Sequence, residues 1–349
     1  MIAFMRHTKL VTVYWLLITV LAACSLPTAT PRPSTPTATV AAPAGTESTT
    51  ATATDVPTPA PELGEEGNPI LLALPPAQSL DAVAIANGQT LASLLEEQTG
   101  YRIVAVAPTT YTDLIEAMRI GNAHIAVLPP FAIVQAYQKE AVKAAFATTQ
   151  EDVASYGAQF VARGDRFKSY FDASEEENTA EASRALSQFS GKKACWTETD
   201  SLSGHLVPAG ILGWYKIPTQ EGAFLQSHFS VVRAVYIGEV CDFGGTYIDA
   251  RDYPALKDEY PHIMDEIIIV WQVPPIIPYD GIFFSPSVPS DMSAKLLAAL
   301  EQVFLSDSGR TLLESLYGIQ GLLAVQDIFY VEFTRYIQSS GADLSGLVH

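Results

Sequence analysis

The sequence predicts an α/β protein of two lobes, in which two mixed or parallel sheets flanked by helices are joined by two chain crossings. Strand and helix patterns alternate from residue 68, and the alternation restarts near residue 192. The chain then returns to the first lobe near residue 282. We therefore assign 68–160 and 282–349 to the first lobe and 161–281 to the second, with a hinged cleft between them.

The first lobe begins with a strand, helix, strand, helix, strand pattern that is typical of a parallel sheet with crossover helices. Its helices carry apolar residues at helical spacing, and each ends at a glycine, Gly100 or Gly121. The predicted elements are a strand at 70–74, a helix at 80–99, a strand at 101–107, a helix at 111–120 and a strand at 124–128.

The second lobe starts with an apolar strand and continues into a charged stretch that we expect to be an exposed excursion. The later elements then repeat the strand and helix pattern. The predictions are a strand at 158–162, the excursion at 171–184, a strand at 192–196, helices to 215 and at 230–237, strands at 239–243 and 267–271, a return at 276–284, and helices at 293–304 and 311–317.

The N-terminus has the layout of a secretion signal. Arg6 and Lys9 precede an apolar run at 10–23, and the segment Leu21-Ala22-Ala23-Cys24 resembles a bacterial lipobox. We expect cleavage after residue 23 and a lipid on Cys24. The alternative is an uncleaved anchor, for which about fourteen apolar residues are short. The Thr-, Pro- and Ala-rich segment 24–67 is predicted to be a disordered tether.

Composition limits the possible partners. The 349 residues are 48% hydrophobic and carry a formal net charge of -18. Nucleic acids require basic surfaces, so we exclude them as partners. A site for an anion in so acidic a chain must rely on local dipoles and neutral donors.

A hydroxyl-rich turn, Ser201-Leu202-Ser203-Gly204, lies where the predicted strand at 192–196 gives way to a helix. The first N–H groups of a helix have no partners within it, and the helix dipole adds positive potential there. Ser hydroxyls and a glycine can therefore surround an oxyanion at this point. The alternative is an ordinary serine N-cap. Because Pro208 cannot donate to Gly204, we expect the regular helix to begin near Val207.

With these features, the chain resembles the phosphate/phosphite/phosphonate class of ABC-transporter substrate-binding proteins over residues 68–335. Four places carry the resemblance: Ser201-Leu202-Ser203-Gly204 with Val207-Pro208, His228 in Gln226-Ser227-His228, Tyr111 in a Tyr-x-x-Leu motif, and the segment Ile125-Ala126-Val127-Leu128-Pro129-Pro130-Phe131. Leu202 replaces a hydroxyl residue of the family turn, and Val127 stands where many members have an aromatic.

The resemblance implies a two-lobed periplasmic-binding fold of the second type and an extracytoplasmic, lipid-anchored component of an ABC importer. Its ligand would be phosphate, phosphite or a phosphonate, held by Tyr111, Ser201, Ser203, Gly204 and His228. The implied partners are a permease and its ATPase. We expect a monomer with no catalytic residue, metal or cofactor.

Several of these residues have alternative explanations. The alternative for His228 is a half-buried histidine paired with a backbone carbonyl, and for Tyr111 a core aromatic with its hydroxyl at the surface. Asp242 and Asp249 are candidates to neutralise a ligand amine, although most acids in this chain are expected to be solvated.

Two cysteines remain after Cys24 is assigned to the lipid. Cys195 and Cys241 each lie on or beside a predicted short strand of the second lobe. In an exported protein this favours a disulfide, provided that the two Cα atoms lie within about 7 Å. Two buried free thiols are the alternative.

The sequence leaves two other functional classes as alternatives. A secreted serine hydrolase or phosphatase would use Ser203 with His228, but the sequence contains no Gly-x-Ser-x-Gly elbow. The six histidines show no metal-ligand spacing. A sensory lobe that signals through a membrane partner is the other alternative.

Overall fold

The computed structural model describes residues 60–76, 80–344 and 346–347. The expected signal segment 1–23, the lipidation site Cys24 and most of the expected tether lie outside these residues. Within the described part, no helix combines the length and apolar character that crossing a bilayer requires.

The described residues form strands that assemble into two large sheets and one small hairpin. The strands are β1 (Ile70–Ala73), β2 (Ile103–Val106), β3 (Ile125–Leu128), β4 (Lys143–Thr149), β5 (Ser155–Arg163), β6 (Phe171–Asp172), β7 (Glu177–Asn178), β8 (Lys193–Trp196), β9 (Gln220–Phe224), β10 (Phe243–Thr246), β11 (Ile267–Pro278), β12 (Gly281–Phe284) and β13 (Gly321–Ala324).

Helices cover both faces of the two large sheets. They are α1 (Ala82–Thr99), α2 (Tyr111–Arg119), α3 (Pro130–Gln138), α4 (Ala182–Leu186), α5 (Val207–Trp214), α6 (His228–Ile237), α7 (Pro254–Glu259), α8 (Ile263–Glu266), α9 (Ser290–Leu305), α10 (Asp307–Tyr317) and α11 (Val331–Ser339). Short 3-10 turns occupy Ser187–Phe189 and Asp327–Tyr330, and a π-helical turn occupies Leu202–Leu206.

The first lobe contains a six-stranded mixed sheet in the order β13-β4-β12-β3-β1-β2. Its three strands β1, β2 and β3 are mutually parallel, as the alternating strand and helix pattern predicts. Strand β12 returns antiparallel to β3. Two apolar clusters, one on each face, bury this sheet. Burial on both faces explains why the central strands β1, β3 and β12 are apolar throughout instead of alternating.

The second lobe contains a five-stranded mixed sheet in the order β11-β5-β10-β8-β9. Strands β8, β9 and β10 are parallel, whereas β5 runs antiparallel to both β10 and β11. Two further apolar clusters cover its faces. The predicted fold class, two mixed sheets flanked by helices with two crossings, is confirmed.

The first crossing between the sheets lies earlier than the sequence predicts. Strand β4 ends at Thr149 and belongs to the first sheet, and β5 starts at Ser155 in the second. The expected boundary at residue 160 therefore falls inside β5. The apolar run at 158–162 marks the buried centre of this strand, and its more polar first residues were not recognised. The second crossing lies between Pro278 and Gly281, close to its predicted place.

The C-terminal helix α11, which was expected in the first lobe, packs on the second. Phe333, Tyr336 and Ile337 belong to an apolar cluster of the second lobe. Helices α5 and α11 can pack closely because Gly210 and Gly213 on α5 have no Cβ. A Cβ at either position would collide with the α11 backbone. Helix α11 also contacts α3 of the first lobe, so it bridges the two lobes.

The folded lobe also begins before the expected residue 68. Glu65 and Asn68 form a β-bridge, and Arg102 N–H donates to the Gly64 carbonyl oxygen at 2.7 Å. Gly64 has a positive φ, and a Cβ there would lie 2.9 Å from the Tyr101 ring. The last residues of the expected tether are therefore an ordered turn on the first lobe.

Other predicted boundaries also shift. The strand expected at 239–243 is observed as β10, which begins at Phe243, and β11 extends well beyond the expected residue 271. The expected charged excursion contains the β6–β7 hairpin and the start of helix α4.

Candidate functional site

The hydroxyl-rich turn lies directly after β8 and leads into α5, which begins at Val207 as predicted. Ser201 precedes the π-helical turn, and its Oγ accepts a hydrogen bond from Gly204 N–H at 3.1 Å. His205 and Leu206 N–H both donate to the Ser201 carbonyl oxygen. Ser201 thus caps the turn, which leaves its hydroxyl hydrogen able to donate elsewhere.

The Gly204 amide, which the sequence analysis assigns to the ligand, donates to Ser201 Oγ in the structure. The first N–H groups of such a turn, those of Leu202 and Ser203, have no acceptors within it. These two amides, together with the buried Ser203 hydroxyl, are therefore better candidate donors than the Gly204 amide.

Position 204 requires glycine because the side chains of Thr197 and Ser201 lie close to its Cα. A Cβ there would collide with Thr197 Oγ1 and lie 2.8 Å from Ser201 Oγ. Thr197 is fully buried, and its hydroxyl has no hydrogen-bond partner in the described part of the chain. Thr197 lies against the turn, although it is not among the site residues predicted from the sequence.

Backbone bonds bring His228 beside the turn. Leu225 N–H donates to the Trp196 carbonyl oxygen at 2.9 Å, and Gln226 N–H donates to that of Thr197 at 3.2 Å. These bonds continue the parallel pairing of β8 and β9, so the start of α6 lies next to the turn. Ser201, Ser203, Gly204 and His228 therefore share the carboxyl edge of the second sheet.

His228 is held as a neutral hydrogen-bond donor. Tyr247 N–H donates to its Nδ1 at 3.1 Å, so the neutral ring carries its hydrogen on Nε2. Burial lowers the pKa of His228, although the nearby Glu198 carboxylate acts in the opposite direction. The half-buried ring packs edge-on against Tyr247. At neutral pH, Nε2–H is free to donate to an oxyanion.

Tyr111 lies in the first lobe, as the first residue of α2. Thr110 caps this helix, because its Oγ1 accepts from Asp113 N–H at 3.1 Å. Burial, with a contribution from Asp280, raises the pKa of Tyr111 to about 12. Tyr111 therefore keeps its hydroxyl hydrogen at neutral pH. The structure groups four of the five candidates at one sheet edge and places the fifth at the carboxyl edge of the other sheet.

Both carboxyl edges adjoin the chain crossings. Gly281, just after the second crossing, pairs with Leu128 at the end of β3. In the second sheet, Thr246 at the end of β10 pairs with Gln159, in the half of β5 that follows the first crossing. Ligands of open α/β sheets bind beyond the carboxyl ends of the strands, so the topology directs all five candidates toward the region between the lobes.

A cavity of about 580 Å³ lies at these crossings. Its lining includes residues of both crossings and of neighbouring elements: Pro130, Thr148, Thr149, Gln150, Tyr156, Pro278, Tyr279, Asp280, Tyr317 and Gly318. Burial raises the pKa of Asp280 to about 6. Asp280 was not identified from the sequence, although a lone acid directly before the buried strand β12 is a signal that could have found it.

The two acids considered for a ligand amine have protein partners instead. Asp249 accepts hydrogen bonds from the Arg251 guanidinium and from Gln159 Nε2. Asp242 accepts from Lys193 N–H at 3.0 Å. The charge of Asp249 is therefore already balanced by Arg251, whereas Asp242 has a single backbone donor among the described residues.

A disulfide joins Cys195 of β8 to Cys241, which lies shortly before β10. The two Cα atoms are 5.7 Å apart. Strands β8 and β10 are neighbours. The disulfide therefore joins β8, which leads to the turn, to the segment just before β10, the strand that leads to Tyr247.

The family model described as "ABC transporter, phosphonate, periplasmic substrate-binding protein" matches residues 73–330. The chain belongs to this family. A relative in Mycolicibacterium smegmatis, named "Phosphate-import protein PhnD", is 31% identical over 146 residues. That match covers 41% of this chain and 40% of the relative, so it spans less than half of the relative's length.

The chain is also similar to two solved structures whose descriptions name a phosphonate transporter or a phosphonate ligand. One is a binding protein component of an ABC phosphonate transporter from Pseudomonas aeruginosa, 16% identical, with a TM-score of 0.40 over 78% of this chain and 86% of that one. The other is PhnD1 from Prochlorococcus marinus in complex with methylphosphonate, 12% identical, with a TM-score of 0.38 over 77% and 97%.

Proposed function

We propose that this chain is an extracytoplasmic receptor that binds a phosphorus oxyanion between its lobes and delivers it to an ABC permease with its ATPase. The ligand is phosphate, phosphite or a phosphonate. One observation carries the proposal: a turn of hydroxyl and amide donors and the Nε2–H of His228 share the sheet edge that adjoins the chain crossings. Family membership agrees with this function.

The donors suit an anion in an acidic protein. Hydroxyls, amides and a neutral imidazole add no formal charge, and the dipole at the start of α6 adds positive potential at the same edge. Hydrogen bonds to a charged ligand are stronger than those between neutral groups. Such a site can therefore capture an oxyanion despite the net charge of -18.

Ligand capture would couple to lobe closure. Ser201, Ser203 and His228 lie on the second lobe and Tyr111 on the first, so a ligand that contacts both sets stabilises the closed arrangement over the open one. Because α11 contacts both lobes, lobe closure would also involve this helix. In this proposal the receptor acts as a monomer that is tethered to the membrane through a lipid on Cys24.

Calorimetric titration of the purified full chain tests the proposal. Phosphate, phosphite, methylphosphonate and 2-aminoethylphosphonate are titrated separately, with sulfate as the control anion. We expect saturable one-to-one binding of at least one phosphorus anion and much weaker binding of sulfate. If none of the four binds at millimolar concentration while the protein unfolds cooperatively on heating, the proposed function is wrong.

A further inference from the structure

Three exposed residues connect the end of β8 to the hydroxyl-rich turn, and two of them are acids. Glu198, Thr199 and Asp200 follow the buried Thr197. Ser201 N–H donates to the Glu198 carbonyl oxygen at 3.3 Å, which folds these residues into a compact loop. This acidic loop, residues 198–200, therefore lies directly before the proposed oxyanion donors.

The carboxylates of the acidic loop are chemically suited to compete with a ligand. The amides of Leu202 and Ser203 have no acceptors within the turn, and side-chain carboxylates readily accept from the first amides of a helix. Glu198 and Asp200 lie within five residues of both amides. An oxyanion site beside these acids therefore needs an interaction that holds the loop away from the free amides.

His205 connects the acidic loop to the turn. Its ring Nδ1 lies 2.9 Å from the Thr199 carbonyl oxygen, and because a carbonyl can only accept, Nδ1 carries the hydrogen of this bond. The backbone N–H of His205 also donates to the Ser201 carbonyl oxygen at 3.1 Å. His205 is thus bonded both to the middle of the loop and to the residue that caps the turn.

Two aromatic neighbours hold the half-buried ring of His205 in place. Its centroid lies 5.5 Å from that of Trp196 on β8 and 4.8 Å from that of Phe224, the last residue of β9, which it meets edge-on. Burial lowers the pKa of His205, although its bond to Thr199 acts in the opposite direction. At neutral pH the ring is therefore neutral, with its hydrogen on Nδ1.

We propose that His205 is a positioning residue of the oxyanion site, which holds the acidic loop through the Thr199 carbonyl so that the free amides of the turn stay open to a ligand. This inference rests on the proposed function. His205 itself makes no contact with the ligand in this role. It prevents the carboxylates of the loop from taking the donors that a phosphorus oxyanion would use.

The first test compares His205→Leu with His205→Asn, two substitutions of similar size that both remove the ring contacts. The Asn amide nitrogen is as many bonds from the backbone as Nδ1, so it can donate to the Thr199 carbonyl, whereas Leu cannot. Methylphosphonate is titrated by calorimetry into the wild type and both variants. The affinity should fall about tenfold in His205→Leu and stay close to that of the wild type in His205→Asn. Urea unfolding verifies that each variant is folded.

Removal of the two carboxylates tests whether the loop competes with the ligand. Glu198→Gln and Asp200→Asn are introduced together into the wild type and into His205→Leu. Loss of negative charge near the turn should raise the affinity for methylphosphonate in both proteins. Because the carboxylates reach the amides only when His205 is absent, the gain should be about fivefold larger in His205→Leu. A purely structural role of His205 would give equal gains.

The ring tautomer provides a readout that needs neither a ligand nor a folded variant. The ¹⁵N chemical shifts of the histidine rings in the wild-type chain show which nitrogen carries the hydrogen. We expect it on Nδ1 in His205, which donates to a carbonyl, and on Nε2 in His228, whose Nδ1 accepts from Tyr247 N–H. A hydrogen on Nε2 alone in His205 would overturn the inference.

The binding experiments separate this inference from the proposed function. If His205→Leu and His205→Asn lose the same affinity, or if neither loses any, the hydrogen bond to Thr199 does not position the site. Equal gains from the carboxylate substitutions in both proteins would exclude competition by the loop. All of these results leave binding to the wild type intact. If the wild type binds no phosphorus anion, the proposed function itself is wrong, and this inference fails with it.

Discussion

The two sheet edges that adjoin the crossings are built in different ways. The second-lobe edge carries hydroxyl and amide donors on one short turn, fixed by local bonds such as Gly204 N–H to Ser201 Oγ. The first-lobe edge carries Tyr111 and Asp280, which are far apart in the sequence and belong to different elements. One wall is thus a local motif, whereas the other is assembled by tertiary folding.

The two edges also differ in charge. The candidate donors of the second lobe carry no formal charge at neutral pH, because burial lowers the pKa of His228. The first-lobe edge combines a neutral phenol with a carboxyl group. The second-lobe edge therefore offers an oxyanion only neutral donors, whereas the first-lobe edge also carries an ionisable acid.

The largest expected effect comes from removing the second-lobe hydroxyls. The double substitution Ser201→Ala with Ser203→Ala should weaken phosphonate binding by about 3–6 kcal/mol, since each hydrogen bond to a charged ligand contributes about 1.5–3 kcal/mol. Calorimetry on the purified variant measures this loss. An unchanged affinity would remove the turn from the site.

Ser306→Ala provides the matched control for that experiment. Ser306 Oγ accepts from Gly309 N–H at 3.1 Å, which is the same local bond that Ser201 makes with Gly204. Ser306 caps α10 in the first lobe. The control should lower the unfolding free energy by about 1 kcal/mol, as expected for a lost N-cap, and leave binding unchanged.

A smaller effect is expected from Tyr111→Phe, which removes one donor from the first-lobe wall. The affinity should fall by about 1.5–3 kcal/mol if this hydroxyl donates to the charged ligand. Tyr137→Phe removes a first-lobe hydroxyl outside this cavity, which donates to Asp327 Oδ1 instead. It should reduce stability and leave the affinity nearly unchanged. Equal affinities for Tyr111→Phe and the wild type would show that the first-lobe wall does not use this phenol.

The sequence was informative where structure is determined locally. The turn after β8, the start of α5 at Val207 and the parallel order of β1, β2 and β3 follow from periodicity, hydroxyl clusters and helix breakers within short windows. The positions of the five candidates near the carboxyl ends of strands could also be predicted, because parallel sheets align those ends at one edge.

The sequence was less informative where distant segments meet. The first crossing was misplaced because the polar start of β5 gives no sign of which sheet it joins. Helix α11 was assigned to the wrong lobe, since its apolar face does not reveal the α5 glycines that accept it. The position of Asp280 before a buried strand is visible in the sequence, but its burial depends on segments far from it in the chain.

The smallest predicted effect concerns the stability cost of the carboxyl group itself. Burial raises the pKa of Asp280 from its ordinary value of 3.8 to about 6, so the folded protein holds this proton more tightly than the unfolded chain does. Stability contributed by the protonated group is therefore lost as the pH rises from about 4 to about 6. Because Asp280 is partly exposed, we expect a loss of about 1–2 kcal/mol after solvent screening.

Urea unfolding of Asp280→Asn and the wild type, without added ligand, measures this cost. The variant should be more stable than the wild type by about 1–2 kcal/mol at pH 8, and the difference should vanish near pH 4. Other titrating groups contribute equally to both proteins and cancel. A difference that stays constant between the two pH values would mean that Asp280 ionises as freely as a solvated acid. The first-lobe edge would then lack the buried carboxyl group that distinguishes it from the second.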